Sequence, residues 1–159
     1  MRAKVNEISI RYHQKIKNDV RLKLNSSLAA AAFLRKIWNQ DTIGINETFV
    51  IVMLNNANYV NGFYTLSQGG ITGTLVDIRL LFAIVLKSLS TSIILAHNHP
   101  SGTLKPSESD KELTKKVTAA AKLFDISVLD HIILTPENGY FSFSDESLIT
   151  HNQNDLFKL

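Results

Sequence analysis

Three short apolar runs constrain the fold most: ETFVIVMLN (47–55), SIILA (92–96) and ISVLDHIIL (126–134). They are rich in Val and Ile and shorter than a typical helix, so they read as strands. The first has no polar alternation and is expected to be buried on both faces, which requires covering layers on either side of a sheet. Segments of helical character separate the runs. Ser26 and Ser27 precede LAAAAFLRKIWNQ, where Leu28, Ala31, Ala32 and Trp38 recur at helical spacing behind a Ser N-cap. Asp77 caps a second helix through about Leu89, and its almost wholly apolar body predicts deep burial. Ser107 begins a third helix with Leu113, Val117, Ala120, Ala121 and Phe124 along one face.

Turn signals complete the order. NNAN (55–58) joins the first strand to YVNGFYTLS (59–67) as a hairpin. Residues 136–139 form a turn before YFSFS (140–144), an alternating strand. Residues 5–12 alternate well enough for a further short strand, and 18–25 reads as a polar linker. GGITGT (69–74) is a glycine-rich turn without the GKS/T ending of a phosphate loop. Helix, hairpin, helix, strand, helix, two strands predicts an α/β fold, a mixed sheet with flanking helices.

The chain has 159 residues, 45% apolar and 19% charged, which suits one domain, or one domain with a short arm. The absence of cysteine excludes a disulfide scaffold, a Cys-ligated zinc finger, an iron–sulfur cluster and a thiol nucleophile. No strictly apolar run is longer than that at 80–86, which is far below the ~20 residues of a membrane helix, and the first residues show no signal-peptide core. A cytoplasmic protein is therefore expected. Residues 1–24 carry Arg2, Lys4, Arg11, Lys15, Lys17, Arg21 and Lys23 against Glu7 and Asp19, so the formal charge of +3 comes from this arm. Such an arm reads as a solvated edge or as a contact for phosphates or an acidic partner. The aromatic interleaving of a nucleic-acid groove is missing from it.

His97 and His99 carry the chemistry. They lie two apart where SIILA ends, and in extended backbone residues i and i+2 point to the same side. Pro100 disfavours helix at His99. Asp110 follows one turn into the next helix. Two imidazoles and a carboxylate leave the fourth position of a tetrahedral zinc for water, and zinc lowers the pKa of such a water to about 7. Non-haem iron accepts a similar donor set. Ser107-x-x-Asp110 also reads as a capping box, in which both residues only satisfy helix amides. His131, inside the apolar run VLDHIIL, reads either as a satisfied core histidine or as a group that orients a ligand from behind. His13 and His151 read as surface residues.

HNHPSGTLKPSESD (97–110) has the form H-x-H-P-x₆-S-x-x-D and resembles the signature of the JAB1/MPN/Mov34 (JAMM) metalloenzymes. ILAHNHPSG, KPSESD and LDHIILT together resemble the RadC-like branch of JAB domains, over residues 45 to 146. The resemblance implies a JAB/MPN, cytidine-deaminase-like architecture. It implies one Zn²⁺ per chain on His97, His99 and Asp110, with Glu47 as general acid/base and Ser107 positioning the water or steadying the oxyanion. The implied reaction is hydrolysis of a peptide or isopeptide amide. The division it suggests is 1–44 as basic arm and packed helix, 45–150 as RadC-like JAB domain and 151–159 as polar tail.

The chain departs from larger relatives, which resemble a helix-hairpin-helix region joined to this domain. Gly44 is the sole glycine in the first 61 residues, and a DNA-binding hairpin needs tight glycine turns. VDIRL (76–80) lacks the proline of the relatives' proline-arginine-glutamate stretch, though Arg79 fits its arginine. Three readings remain: an amide hydrolase acting on a peptide or protein, a DNA-repair or mobile-element accessory protein whose arm binds nucleic acid, and a metal-stabilised binding domain.

Overall fold

A computed structural model of the protein describes residues 20–70 and 73–149. The strand expected at 5–12, the basic side chains up to Lys17, His13, His151 and the 151–159 tail lie outside the described residues. The elements are α1 (Ser27–Ile37), β1 (Thr48–Leu54), β2 (Val60–Gln68), α2 (Ile78–Lys87), β3 (Ser92–Asn98), α3 (Glu108–Lys122), β4 (Ser127–Leu134) and β5 (Tyr140–Ser142). This is the predicted order.

Local chemistry sets the boundaries. The Ser26 hydroxyl accepts from the Ala29 amide and opens α1, which ends where Trp38 turns extended. At the hairpin, Asn55 Oδ1 accepts from the amides of Ala57 and Tyr59, and Asn58 takes a left-handed φ of 61° that asparagine tolerates. The Asp77 carboxylate caps α2 through the Arg79 and Leu80 amides. Residues 22–24 are not a bare linker. The Leu22 carbonyl and the Leu24 amide bond to Val60 and Asn58, so this stretch docks on the start of β2 and buries Leu24.

The five strands form one mixed sheet in the order β2-β1-β3-β4-β5. β1 pairs antiparallel with both β2 and β3, β3 pairs parallel with β4 across the α3 connection, and β5 returns antiparallel on β4. Side chains alternate between two cores. Phe49, Ile51, Met53, Ile93 and Leu95 face Leu81, Phe82 and Val85 of α2 and Val117 and Ala121 of α3. Val50, Val52, Leu54, Ile94 and Ala96 face Ala30, Ala31 and Leu34 of α1. The continuous apolar runs thus arise because helices cover both sheet faces.

One expectation is corrected. α2 is not deeply buried: Leu81, Phe82 and Val85 are buried, but Leu80 and Leu86 are 43% and 44% exposed. A single helix on a sheet hides one stripe, and no second layer among the described residues covers the opposite side. β4 contains a bulge: Ile93 pairs with Val128 and Ile94 with Asp130, leaving Leu129 as the extra residue. After the bulge His131 lies opposite Leu95, on the face that α2 and α3 cover.

Candidate metal centre

β3 ends by delivering both histidines. His97 is buried, stacks on Phe49 with centroids 6.2 Å apart, and points to the α3 side. The chain stays extended beyond the strand, since the His99 amide donates to the Leu134 carbonyl at 2.8 Å. The two Nε2 atoms stand 2.9 Å apart. Asp110, at the third position of α3, places Oδ1 3.3 Å from His97 Nε2 and Oδ2 3.5 Å from His99 Nε2. One donor atom from each of the three lies within 4.8 Å of the others.

Hydrogen bonding assigns the tautomers. His99 Nδ1 lies 2.6 Å from the Thr103 carbonyl, which only accepts, so Nδ1 carries the proton and Nε2 of the neutral ring is bare. Behind His97 the Thr114 hydroxyl donates to the Asp110 carbonyl at 2.6 Å and therefore accepts from His131 Nδ1, also at 2.6 Å. His131 Nε2 is then an acceptor, and His97 Nδ1–H donates to it at 2.8 Å. His97 Nε2 is bare in turn. Two lone pairs and a carboxylate converge with no proton between them, a donor set that a divalent cation fits.

The electrostatics agree. Burial pushes the Asp110 carboxyl up, but the two imidazoles in their protonated form, together with the Ser107 hydroxyl, outweigh it and hold it well below the usual carboxylate range. Asp110 in turn raises the His99 pKa, because a proton gains there what a cation would. His131 is fully buried and its pKa is driven well below the ordinary value by desolvation, so it stays neutral as the relay requires.

Glu47 precedes β1 and lines the same cleft of about 770 Å³ as His97, His99, Ser107 and Asp110. Its amide donates to the Gly70 carbonyl and its carbonyl accepts from Gly69, which ties it to the end of β2. Burial raises its pKa; His97 and His99 would pull it down only when protonated, Asp110 adds to the rise, and the net shift is upward. Ser107 is the N-cap of α3. Its hydroxyl accepts from the Asp110 amide and donates to Asp110 Oδ2 at 2.7 Å, so the expected capping box and the metal-facing carboxylate coexist in one residue pair. The cleft is apolar at Phe49, Leu75, Val76 and Leu113 and polar at Ser101, Thr103, Lys105 and Ser109.

All five residues expected at the centre line one cleft, and His131 contacts His97 from behind. Two residues escape sequence reasoning. Thr114 sits one helical turn after Asp110 and completes the His131 relay; its spacing from Asp110 was the one signal in the sequence, since its burial belongs to the fold. Asn98 looks like a spacer in H-x-H, yet it is fully buried and bonded three times. Arg79 stands apart from the centre, exposed and paired with Asp77.

The family described as RadC-like JAB domain matches residues 24–148. A UPF0758 protein of Flavobacterium johnsoniae is 48% identical over 103 residues, 65% of this chain and 44% of the relative. UPF0758 proteins of Porphyromonas gingivalis and Rubrobacter xylanophilus are 42% and 40% identical over the same length, 65% of this chain and 45% and 44% of those relatives. The chain spans less than half the length of these curated relatives. Among the described residues no helix is long and apolar enough to cross a membrane.

Proposed function

The chain belongs to the RadC-like JAB domain family, and from that premise we propose that it is a zinc-dependent hydrolase of peptide or isopeptide amide bonds. The observation that carries this reading is the pair of bare Nε2 atoms converging with Asp110 in the cleft that Glu47 lines. His97, His99 and Asp110 are the proposed ligands. When bound there, zinc supplies a Lewis acid that polarises a carbonyl and acidifies a water.

The chain's own groups account for the remaining work. His131 and Thr114 hold His97 in the tautomer that presents Nε2, and the Thr103 carbonyl does the same for His99. Glu47 is the proposed acid/base. Its carboxylate takes a proton from the attacking water and returns it to the leaving amine nitrogen as the C–N bond breaks. Partial burial raises the Glu47 pKa and so makes its carboxylate a better base for the first transfer. Ser107 is the proposed donor to the developing oxyanion, a role that needs its hydroxyl to swing off Asp110 Oδ2 into another staggered rotamer. The apolar side of the cleft takes the acyl segment, and its hydroxyl-rich side takes the polar flank of the amide.

The test is a proteome-wide cleavage screen with wild-type protein, the Glu47→Gln variant and a chelator control. Products that depend on both metal and Glu47 support the reading; a screen whose products survive either control sinks it. The rival reading, a DNA-associated accessory protein, rests on residues 1–24, of which 20–24 are described. Salt-dependent DNA binding lost on removal of residues 1–24, with no cleavage activity, would favour that rival.

A further inference from the structure

Asn98 stands between the two histidines but faces the opposite side of β3, as strand alternation demands. It is 0% exposed, and its carboxamide is used three times. Oδ1 accepts from the Thr48 amide at 2.8 Å, and Nδ2 donates to the carbonyls of Ile43 at 2.7 Å and Asn46 at 3.0 Å. These main-chain groups flank Glu47 on both sides. Pairing of β1 with β3 ends at Phe49 opposite His97. Beyond that rung the carboxamide supplies the acceptor and donors that a continued backbone ladder would have offered.

We propose that Asn98 is a positioning residue that ties the Glu47 segment to the strand carrying both histidines, so that the acid/base and the metal ligands move as one unit. The role of Glu47 in this inference rests on the hydrolase reading above; the brace itself needs no metal. The side-chain chemistry is restrictive. Aspartate would turn a carboxylate toward two carbonyls, and leucine would leave one buried and two part-buried main-chain groups without these partners. A shorter hydroxyl has too few donors for two carbonyls.

The test uses the full chain loaded with Co²⁺, whose paramagnetic broadening falls steeply with distance, and ¹³C-labelled glutamate carboxyls. Zinc-loaded protein gives the diamagnetic reference, and Glu47→Gln identifies the Glu47 signal. Asn98→Leu and Asn98→Asp should bind Co²⁺ with wild-type stoichiometry while the broadening at Glu47 changes markedly. Amides of 46–48 should exchange about tenfold faster, the scale of one lost buried hydrogen bond, while those of β3 stay protected. Wild-type broadening in both variants overturns the proposal. Faster exchange with unchanged broadening overturns it too, because Asn98 would then stabilise without positioning. A wild-type Thr48 amide that exchanges freely refutes the brace, whatever the variants do. If the wild-type chain takes up no Co²⁺, the metal reading fails, and exchange in the metal-free variants then decides on the brace alone: unchanged rates at 46–48 refute it.

Discussion

Replacing His131 by phenylalanine tests the relay behind His97. The ring lies within 4.7 Å of the Phe143 centroid, stacked, and 5.7 Å from that of Phe49, so phenylalanine keeps the apolar packing. What disappears is the Nε2 acceptor 2.8 Å from His97 Nδ1. His97 can then rotate or shift its proton to Nε2, where a metal would have to displace it. Loss of such a supporting group costs about 10- to 100-fold in metal affinity, or about 1.4–2.7 kcal/mol. With free zinc above both dissociation constants, the stability gained from metal shrinks by the same amount. For a domain of this size that is about 3–10 °C in Tm. The quantity to compare is the rise in Tm on adding zinc to chelator-treated protein, because the cost of the orphaned His97 donor in the metal-free state then cancels. Thr114→Val should lower that rise less, and Thr114→Ser should restore it. An increment for His131→Phe equal to the wild-type value within error would refute the relay and leave His131 a packing residue.

Elemental analysis of wild-type protein should find one zinc per chain, and His97→Ala or Asp110→Ala should lose it. Glu47→Gln should keep the metal while turnover of a substrate found in the screen falls by roughly 10²–10⁴-fold. Metal affinity should weaken with falling pH from above 6.5, because Asp110 holds the His99 pKa above that ordinary value and protons compete for Nε2. In chelator the sign reverses: the contribution of His99 to stability is complete below its unfolded value and lost as pH rises through its raised folded value. Melting curves across pH, with and without zinc, separate the two. Arg35→Ala should cost about 1.5–3 kcal/mol in chemical denaturation, since its guanidinium donates to the carbonyls of Thr135, Glu137 and Gly139.

Much of the fold is written locally. Strand identity follows from Val/Ile runs, and each helix start from a Ser or Asp that satisfies its own first amides, so these elements need no knowledge of distant residues. The same holds for His97 and His99, which extended backbone aligns, and for Asp110, whose place in the first turn of α3 is set by the Ser107 cap. Burial of α2 was illegible because apolar composition records what a helix can bury, whereas exposure of Leu80 and Leu86 depends on whether another layer lies above them.

His131 shows the boundary most clearly. Strict alternation from Val128 would send it to the α1 face, and only the bulge at Leu129 returns it to the side of His97. The contacts of Thr114 with His131, and of Asn98 with the chain on either side of Glu47, likewise join residues at least seventeen positions apart. Sequence by itself determined which side chains are candidates for metal binding and proton transfer, because residue type and short-range spacing are local properties. Tertiary structure alone decided which of them face one another and which tautomer each imidazole adopts, because register, bulges and buried hydrogen bonds are settled between distant segments.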